Sequence, residues 1–302
     1  MPASLPSIVL DLLDVAPRRV RVLKDVPEEN GSWLIELPGG ELVVVRRYHG
    51  NATREELRYE HDVLWHMERA GWAVPAPVGE LVRCEESWYC LTSYVPGQAV
   101  RDEDAGQQRR RGRDLAQLHL ALRGLDGRLG QRTGWRAQHQ GVTLDIDLDW
   151  QACVQSLAEV SPRLAAWADA AAGQTRAALA AIGAHELPVM VVHGDFAEWN
   201  VHYRHDRLAG VIDFGLTHVD SRPYELAIAR TWRAPAMTNS YRAELARLDW
   251  PLSELEEAAL RPLYHAFRLD QVAWPITYGQ RTGQYDLAAI ERHLARTGTN
   301  PP

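Results

Sequence analysis

The stretch PVMVVHGDFAEWNVHYRHDRLAGVIDFG, residues 188–215, constrains this chain more than any other part of its sequence. An apolar strand runs into the polar loop His193–Asp195, and a tight hairpin then separates Asn200 from Asp213. Because a hairpin of this length brings its two ends together, we expect Asp195, Asn200 and Asp213 to converge at one end of the fold.

The three polar side chains of this stretch fit the chemistry of phosphoryl transfer. The oxygens of Asn200 and Asp213 suit Mg²⁺, a hard cation that takes few protein ligands and leaves positions open for phosphate oxygens. Asp195 would then be available to receive or orient the proton of a hydroxyl group. Phosphoryl transfer needs little beyond such positioning and the neutralisation of charge.

The first ninety residues predict an antiparallel meander with one helix. Alternating or β-branched runs predict strands at 18–25, 32–37 and 41–48, separated by the polar turn 27–32 and a glycine turn. In the following segment, Thr53 and Glu56 match a capping box and Gly71 is a typical C-terminal stop. A second hairpin around the tetrapeptide CEES completes this region.

One carboxylate of the predicted helix, Glu60, lies on its apolar stripe between Leu57 and Leu64. An unpaired charge facing a core is costly, so Glu60 needs a cationic partner unless it turns to solvent. Arg46 is the nearest candidate, because the two-residue period of the preceding strand places it on the same face as Val44. We therefore expect an ion pair between Arg46 and Glu60.

The pattern HGDFAEWN followed by VIDFG resembles the H-x-D-x-x-x-x-N and D-F-G motifs of the protein-kinase-like catalytic core. In this form it is similar to the aminoglycoside phosphotransferase and choline kinase superfamily. Four further stretches resemble that family in the same order along the chain, over about residues 20 to 230: LVVVRRY, YEHDVLWHMERAGWAVPAPV, LTSYVPGQAV and LAQLH.

The resemblance implies an α+β, two-lobed, protein-kinase-like fold. Residues 1–95 would form a small N-terminal lobe built on an antiparallel sheet, which binds the nucleotide. Residues 96–302 would form a larger, mainly helical lobe for catalysis and acceptor binding. The implied activity is that of a small-molecule kinase that uses ATP and Mg²⁺ and phosphorylates a hydroxyl group.

The resemblance also assigns roles to individual residues. Asp195 would be the catalytic base, His193 would brace its loop, and Asn200 and Asp213 would ligate Mg²⁺. Arg46, paired with Glu60, would contact the phosphates of ATP. The remaining nucleotide contacts would come from a phosphate-covering turn and from backbone groups near the adenine: Asn30, Gly31, Ser32, Ser93, Tyr94 and Val95. Glu225 would brace the catalytic loop.

Two features depart from the kinase pattern. The phosphate-contacting residue is usually lysine, whereas this chain has Arg46 there, and its only lysine is Lys24. Arginine binds phosphate well but with a different geometry. The phosphate-covering turn also lacks a G-x-G-x-x-G run and contains only Gly31.

The acceptor is the least constrained part of the prediction. Glu198 in the catalytic loop and Asp220 after the DFG motif are candidate contacts for an amino alcohol, an amino sugar or an aminoglycoside-type acceptor, although a solvated carboxylate is the more common role for each. Three alternatives stay open: a catalytically inactive kinase-like scaffold that binds nucleotide, a protein kinase, and a metal-dependent hydrolase. The hydrolase would use His193, Asp195, His202 and His205.

Composition narrows the partners and the compartment. The net charge of −7 disfavours nucleic acid as a partner and favours neutral or cationic small molecules. The three cysteines follow no metal-binding spacing and are odd in number, which predicts a reducing, cytoplasmic setting. The N-terminal segment lacks the pattern of a signal peptide, and the long alanine-rich stretch 164–184 is interrupted by polar residues, so no membrane partner is expected.

Overall fold

A computed structural model describes residues 13, 15–24, 30–48, 52–100, 104–229 and 234–300 of the chain. The chain forms two compact units. The first combines Met1–Arg101 with Glu198–Gly215, and the second combines Asp102–Ala197 with Leu216–Pro302.

The first unit contains a five-stranded antiparallel sheet. Its strands run in the order β1-β2-β3-β5-β4. The strands predicted from alternation are present, and β2 begins one residue earlier than predicted; the portion 27–29 of the predicted turn lies outside the described residues. The bounds are β1 Arg19–Lys24, β2 Gly31–Glu36, β3 Leu42–Tyr48, β4 Val82–Cys84 and β5 Ser87–Ser93.

The helix of this unit, α1 (Arg54–Arg69), has the predicted capping box. The backbone N–H of Glu56 donates to the Thr53 hydroxyl at 3.2 Å, and the backbone N–H of Thr53 donates to the Glu56 carboxylate at 2.8 Å. Leu57 and Leu64 are buried on one face, as the helical spacing predicts.

The predicted hairpin of the DFG region also belongs to the first unit. Strands β8 (Val201–Arg204) and β9 (Arg207–Val211) pair antiparallel, and the short β6 (Gln98–Ala99) adds to β8. At the open end of the hairpin the backbone N–H of Ile212 donates to the carbonyl of Asn200 at 2.9 Å. The hairpin therefore brings the backbones at Asn200 and Asp213 together, as its length predicts.

The second unit is mainly helical. A buried two-stranded ladder pairs β7 (Met190–Val192) with β10 (His218–Asp220). The helices of this unit are α2 Ala105–Leu122, α3 Asp126–Leu129, α4 Trp150–Val160, α5 Pro162–Ala181, α6 Arg222–Ala229, α7 Pro235–Arg247, α8 Glu254–Thr282 and α9 Leu287–Leu294. One apolar cluster of this unit joins α4, α5, α8 and α9.

Helix α8 is longer than its sequence predicts. The sequence predicts a helix over about 253–273, but α8 continues to Thr282 through Pro275, which cannot donate to the carbonyl four residues earlier. Ile276 and Gly279 are buried on its face, and Ile276 belongs to the apolar cluster of the helices. Burial of this last stretch offsets the lost hydrogen bond. Among the helices in the described part of the chain, none combines the length and the apolar character needed to span a bilayer.

Candidate active site

Arg46 contacts two carboxylates in the first unit. Its Nη2 donates to Oδ1 of Asp213 at 2.9 Å, and its Nη1 lies 3.6 Å from Oε1 of Glu60. Glu60 is almost completely buried and the Arg46 side chain is 11% exposed, whereas Asp213 is 53% exposed. The predicted ion pair between Arg46 and Glu60 is therefore present, and a second carboxylate contacts the same guanidinium.

The environment of Arg46 keeps its positive charge. Burial alone lowers the pKa of the guanidinium, but the negative charges of Glu60 and Asp213 outweigh burial and raise it above its usual value. A guanidinium that stays charged can bind the anionic oxygens of a polyphosphate. Arginine at this position therefore retains the charge that the lysine of the kinase pattern would supply.

Asp213 lies in a backbone conformation that few residues adopt. Its φ is +64°, in the left-handed region, which aspartate tolerates better than most side chains. The next glycine is tightly enclosed: a Cβ on Gly215 would lie 3.1 Å from Nη2 of Arg46, 3.4 Å from Oδ1 of Asp213 and 4.0 Å from Nδ2 of Asn30. The structure thus brings Asn30, predicted in the phosphate-covering turn, to the same place as Arg46 and Asp213.

The other residues predicted to contact nucleotide lie on strands and strand ends of the first unit. Ser32 is opposite Arg46 in the β2–β3 register, and Gly31 is opposite Arg47, so both belong to a strand and not to a turn. Ser93 uses its backbone N–H and its hydroxyl within the unit, donating to the carbonyls of Ala76 and Val74 at 2.9 Å each.

The adenine-binding prediction therefore depends on the two residues that follow Ser93. Tyr94 is half-buried and Val95 is buried just past the end of β5. Their main-chain groups are placed at a strand end, which is where the resemblance puts the adenine contacts.

The loop His193–Asp195 lies in the second unit, and its backbone is held by hydrogen bonds. The backbone N–H of Asp195 donates to Nδ1 of the buried His193 at 3.1 Å, which fits the predicted bracing role of this histidine. Gly194 has a φ of +84°, and a Cβ there would overlap the carbonyl of Leu216, so only glycine fits this turn. Asp195 itself is half-buried.

Glu225 accepts the two N–H groups of this loop, as predicted. Its Oε2 accepts from the N–H of His193 at 2.8 Å, and its Oε1 accepts from the N–H of Gly194 at 2.7 Å. His119 is buried and contacts two side chains: its Nε2 lies 3.1 Å from Oε2 of Glu225, and its Nδ1 lies 2.7 Å from the hydroxyl of Tyr241. Burial raises the pKa of Glu225, but the hydrogen bond and charge of His119 bring it below its usual value.

The two predicted acceptor contacts have different surroundings. Asp220 is completely buried, where its Oδ2 accepts from the N–H of Gln138 and its Oδ1 from the N–H of Ser221, each at 2.6 Å. Glu198 is half-buried at the start of a single 3₁₀ turn, Glu198–Asn200, in the first unit. The bonding of Asp220 fits a structural role in the β10 region.

A carboxylate that the sequence did not single out, Asp270 of α8, is the more unusual one in the second unit. Its Oδ1 accepts from the N–H of Leu144 at 3.0 Å, and burial raises its pKa to about 6. Burial raises the pKa of Tyr224 well above its usual range, and the negative charges of four carboxylates add to this rise: Asp220, Asp270, Glu225 and Asp195. An aspartate at a helical position otherwise occupied by apolar residues was the available sequence signal.

No group of three or more histidines, cysteines, aspartates or glutamates that could hold a metal is found in the part of the chain that the structure describes. The predicted pair, Asn200 with Asp213, contains only one such residue, which suits Mg²⁺ and not the histidine cluster of a zinc hydrolase. The residues named for the hydrolase alternative do not form such a group among the described residues.

The sequence of this chain is similar to a known family and to individual enzymes. Residues 24–263 match a family described as the phosphotransferase enzyme family. A homoserine kinase from Phenylobacterium zucineum is 28% identical over 253 residues, covering 80% of this chain and 74% of the relative. A homoserine kinase from Xanthobacter autotrophicus is 28% identical over 254 residues, covering 77% and 72%.

Solved structures show the fold. The apo crystal structure of a thermostable mutant of aminoglycoside phosphotransferase APH(4)-Ia superposes with a TM-score of 0.65 at 18% identity and covers 97% of each chain. The GDP and kanamycin complex of APH(2")-IIia superposes with a TM-score of 0.67 at 14% identity and covers 96% of each chain. The chain has the protein-kinase-like fold of these enzymes, as the sequence predicts.

Proposed function

The chain belongs to the phosphotransferase enzyme family, and we propose that it transfers the γ-phosphoryl group of ATP to a hydroxyl of a small acceptor that carries an amine. Amino alcohols, amino sugars and aminoglycoside-type molecules form this acceptor class. The observation that supports the proposal most is the Arg46 guanidinium, which contacts Glu60 of α1 and Asp213 of the DFG motif. Such a cation would neutralise the charge of the transferred phosphoryl group.

Mg²⁺ fits the oxygen donors at the open end of the β8–β9 hairpin. The side chain of Asn200 offers an amide oxygen and that of Asp213 a carboxylate, and these are the ligands that Mg²⁺ prefers. Bound there, the ion would supply charge neutralisation for the phosphates of ATP. Asn200 and Asp213 would hold it, and Arg46 would contact the phosphate oxygens.

Asp195 is proposed as the residue that orients the acceptor hydroxyl and receives its proton. In the reaction the acceptor oxygen forms a bond to the γ-phosphorus while the bond from that phosphorus to the β–γ bridging oxygen breaks. The acceptor proton passes to Asp195, and ADP leaves with the bridging oxygen. The hydrogen bonds that Glu225 and His193 make to the loop would fix the position of Asp195 before the acceptor binds.

The proposal that the acceptor carries an amine rests on the negative charge of a carboxylate. In the second unit, burial raises the pKa of Asp270 to about 6, and a positive partner would favour its charged form. Trp274, 65% exposed, lies one turn further along α8 on the same side as Asp270. A carboxylate with an aromatic side chain nearby suits an ammonium group. The homoserine kinases that resemble this chain carry a name that specifies an amino alcohol as well.

The experiment that tests the proposal measures acceptor-dependent ADP release with Mg·ATP. The acceptors are L-homoserine, choline and kanamycin, with 4-hydroxybutyrate and glucose as acceptors without an amine. We expect release with an amine-bearing acceptor, and we expect Asp195→Asn to reduce kcat by a factor of at least ~10². Binding of Mg·AMP-PNP, measured by calorimetry, should be retained in that variant.

Asp169→Asn is the matched control, because Asp169 is an exposed aspartate on α5 and loses the same charge. This control should keep the wild-type rate. Nucleotide binding with no release for any acceptor would favour an inactive kinase-like scaffold. Release only with acceptors that lack an amine would overturn the acceptor class and leave the kinase proposal standing.

A further inference from the structure

Arg46 differs from a lysine in what it needs from its surroundings. A lysine ammonium is a compact charge, whereas a guanidinium is planar and binds phosphate well only when its plane is oriented. The chain has an arginine here and its only lysine is Lys24 on β1. Residues that orient the guanidinium plane are therefore expected close to Arg46.

Tyr48 provides a flat surface for Arg46. The two residues are two positions apart on β3 and so share one face of the strand. The Cζ of Arg46 lies 5.1 Å from the centroid of the Tyr48 ring, within the range of a cation–π contact. Tyr48 is 2% exposed, so the contact is desolvated and worth more than one at the surface.

His61 in turn fixes Tyr48. Nε2 of His61 lies 3.0 Å from the Tyr48 hydroxyl, and both residues are buried. Burial, and next the charge of Arg46, lowers the pKa of His61 to about 4, and burial raises the pKa of Tyr48 well above its usual range. Both groups are therefore neutral at physiological pH, and their hydrogen bond adds no charge beside Arg46.

Helix α1 thus reaches Arg46 through two adjacent residues. Glu60 contacts the guanidinium directly, and His61 acts on it through Tyr48. Trp65, one turn further along, packs edge-on against the His61 ring and donates its indole N–H to the carbonyl of Pro77 at 3.2 Å. These contacts restrict the motion of the His61 ring.

We propose that Tyr48 and His61 are positioning residues that orient the Arg46 guanidinium for the phosphates of ATP, and that this support lets arginine act where a kinase would have lysine. The inference rests on the proposed function, because it assumes the phosphate contact of Arg46. The proposal predicts that nucleotide binding depends on Tyr48 more strongly when residue 46 is arginine than when it is lysine.

A double-mutant cycle separates this role from simple packing. We measure the Kd of Mg·AMP-PNP by calorimetry, and the KM of ATP where turnover is seen, for Tyr48→Leu, Arg46→Lys and the double variant. In the arginine background, Tyr48→Leu should weaken nucleotide binding about 3- to 30-fold, the range of a desolvated cation–π contact. In the Arg46→Lys background the same change should have less than half of that effect on a logarithmic scale.

The contribution of His61 is tested with Tyr48→Phe and His61→Leu, which remove the same hydrogen bond. Each should weaken nucleotide binding about 2- to 10-fold, the range of one hydrogen bond, and the pair together should do little more than either alone. Fully additive losses would show that His61 acts independently of Tyr48.

Tyr89→Leu is the matched control. Tyr89 is a buried tyrosine of the same sheet, but it packs in the apolar cluster with Trp33, Ile35 and Val45. It should lower the melting temperature to a similar extent as Tyr48→Leu and leave the Kd of the nucleotide unchanged. Equal losses of affinity from Tyr48→Leu in the arginine and lysine backgrounds would overturn the positioning role. A wild-type protein that does not bind Mg·AMP-PNP would overturn the proposed function instead.

Discussion

Glu225 controls the backbone of the loop that presents Asp195. Its carboxylate accepts the N–H groups of His193 and Gly194, and His119 approaches the same carboxylate. All of these groups are buried, so each bond lost would leave a polar atom without solvent. The charge of Glu225 therefore serves the geometry of the loop and not the chemistry of the acceptor.

Replacing Glu225 with glutamine tests this. The glutamine amide would turn an N–H donor toward one of two backbone donors, so we expect kcat to fall at least ~10-fold, since a donor facing a donor leaves a buried group unsatisfied. The KM of ATP should change little, and Glu225→Asp should restore part of kcat because it keeps both acceptors. Wild-type kcat in Glu225→Gln would show that the loop does not depend on this carboxylate.

The sequence predicts those residue contacts that follow from the periodicity of a single strand or helix. The two-residue period of β3 and the helical period of α1 were enough to pair Arg46 with Glu60. The contact of Tyr48 with His61 was not predictable in the same way, because it depends on the rotation of α1 against the sheet. The hydrogen bond that Asp270 accepts comes from Leu144, which lies in an irregular segment without any period.

At the scale of elements, helices α2 and α7 pack at a glycine. A Cβ on Gly112 of α2 would overlap the carbonyl oxygen of Met237 on α7 and lie 3.0 Å from the N atom of Tyr241. The two backbones approach closely there, and the same pair of helices carries His119 and Tyr241, which bond to each other. The contact between α2 and α7 therefore supports the group of residues behind the catalytic loop.

Gly112→Ala should destabilise the protein although alanine favours helix. We expect a loss of ~1–3 kcal/mol, because overpacking a rigid contact outweighs the gain in helix propensity. Gly173→Ala on α5 is the control, since nothing lies within 4 Å of a Cβ there, and it should stabilise the protein by ~0.5–1 kcal/mol. Urea unfolding of both variants decides the point, and a stabilised Gly112→Ala would mean that the helices can separate without cost.

The sequence predicted the presence of elements that have local signals better than it predicted where those elements end. The capping box of α1, the glycine turn and the hairpin between Asn200 and Asp213 all follow from short stretches. The continuation of α8 through Pro275 does not, because it is stabilised by burial against α4, α5 and α9, and no local pattern encodes that burial. The membership of Glu198–Gly215 in the same unit as the N-terminal sheet is likewise a matter of tertiary contacts.

At the scale of the whole molecule, buried titratable groups act on stability in opposite directions. Burial, assisted by nearby arginines, lowers the pKa of His61 and of His293 to about 4, below the ordinary histidine value. Their neutral forms are favoured by folding, so the stability they contribute is present above pH ~6.5 and is lost as the pH falls toward 4. Asp270 has the reverse sign: its pKa is raised to about 6, so the stability it permits at acid pH is lost as the pH rises through 6.

Asp270→Asn should therefore stabilise the molecule at neutral pH. The asparagine oxygen still accepts from the N–H of Leu144, while the charge that burial disfavours is gone. The titratable groups that interact electrostatically with Asp270 are His218, Asp145 and Tyr224. We expect a gain of ~1–3 kcal/mol in the free energy of unfolding at pH 7.5, which shrinks below ~1 kcal/mol at pH 4. The exposed Asp169→Asn is the control and should change stability little at either pH.

Asp270→Asn should also raise the KM of amine-bearing acceptors at pH 7.5, and this rise should fade below pH ~6, where the wild-type carboxylate is protonated. A protein that gains stability without losing affinity for such acceptors would show that Asp270 does not contact the amine.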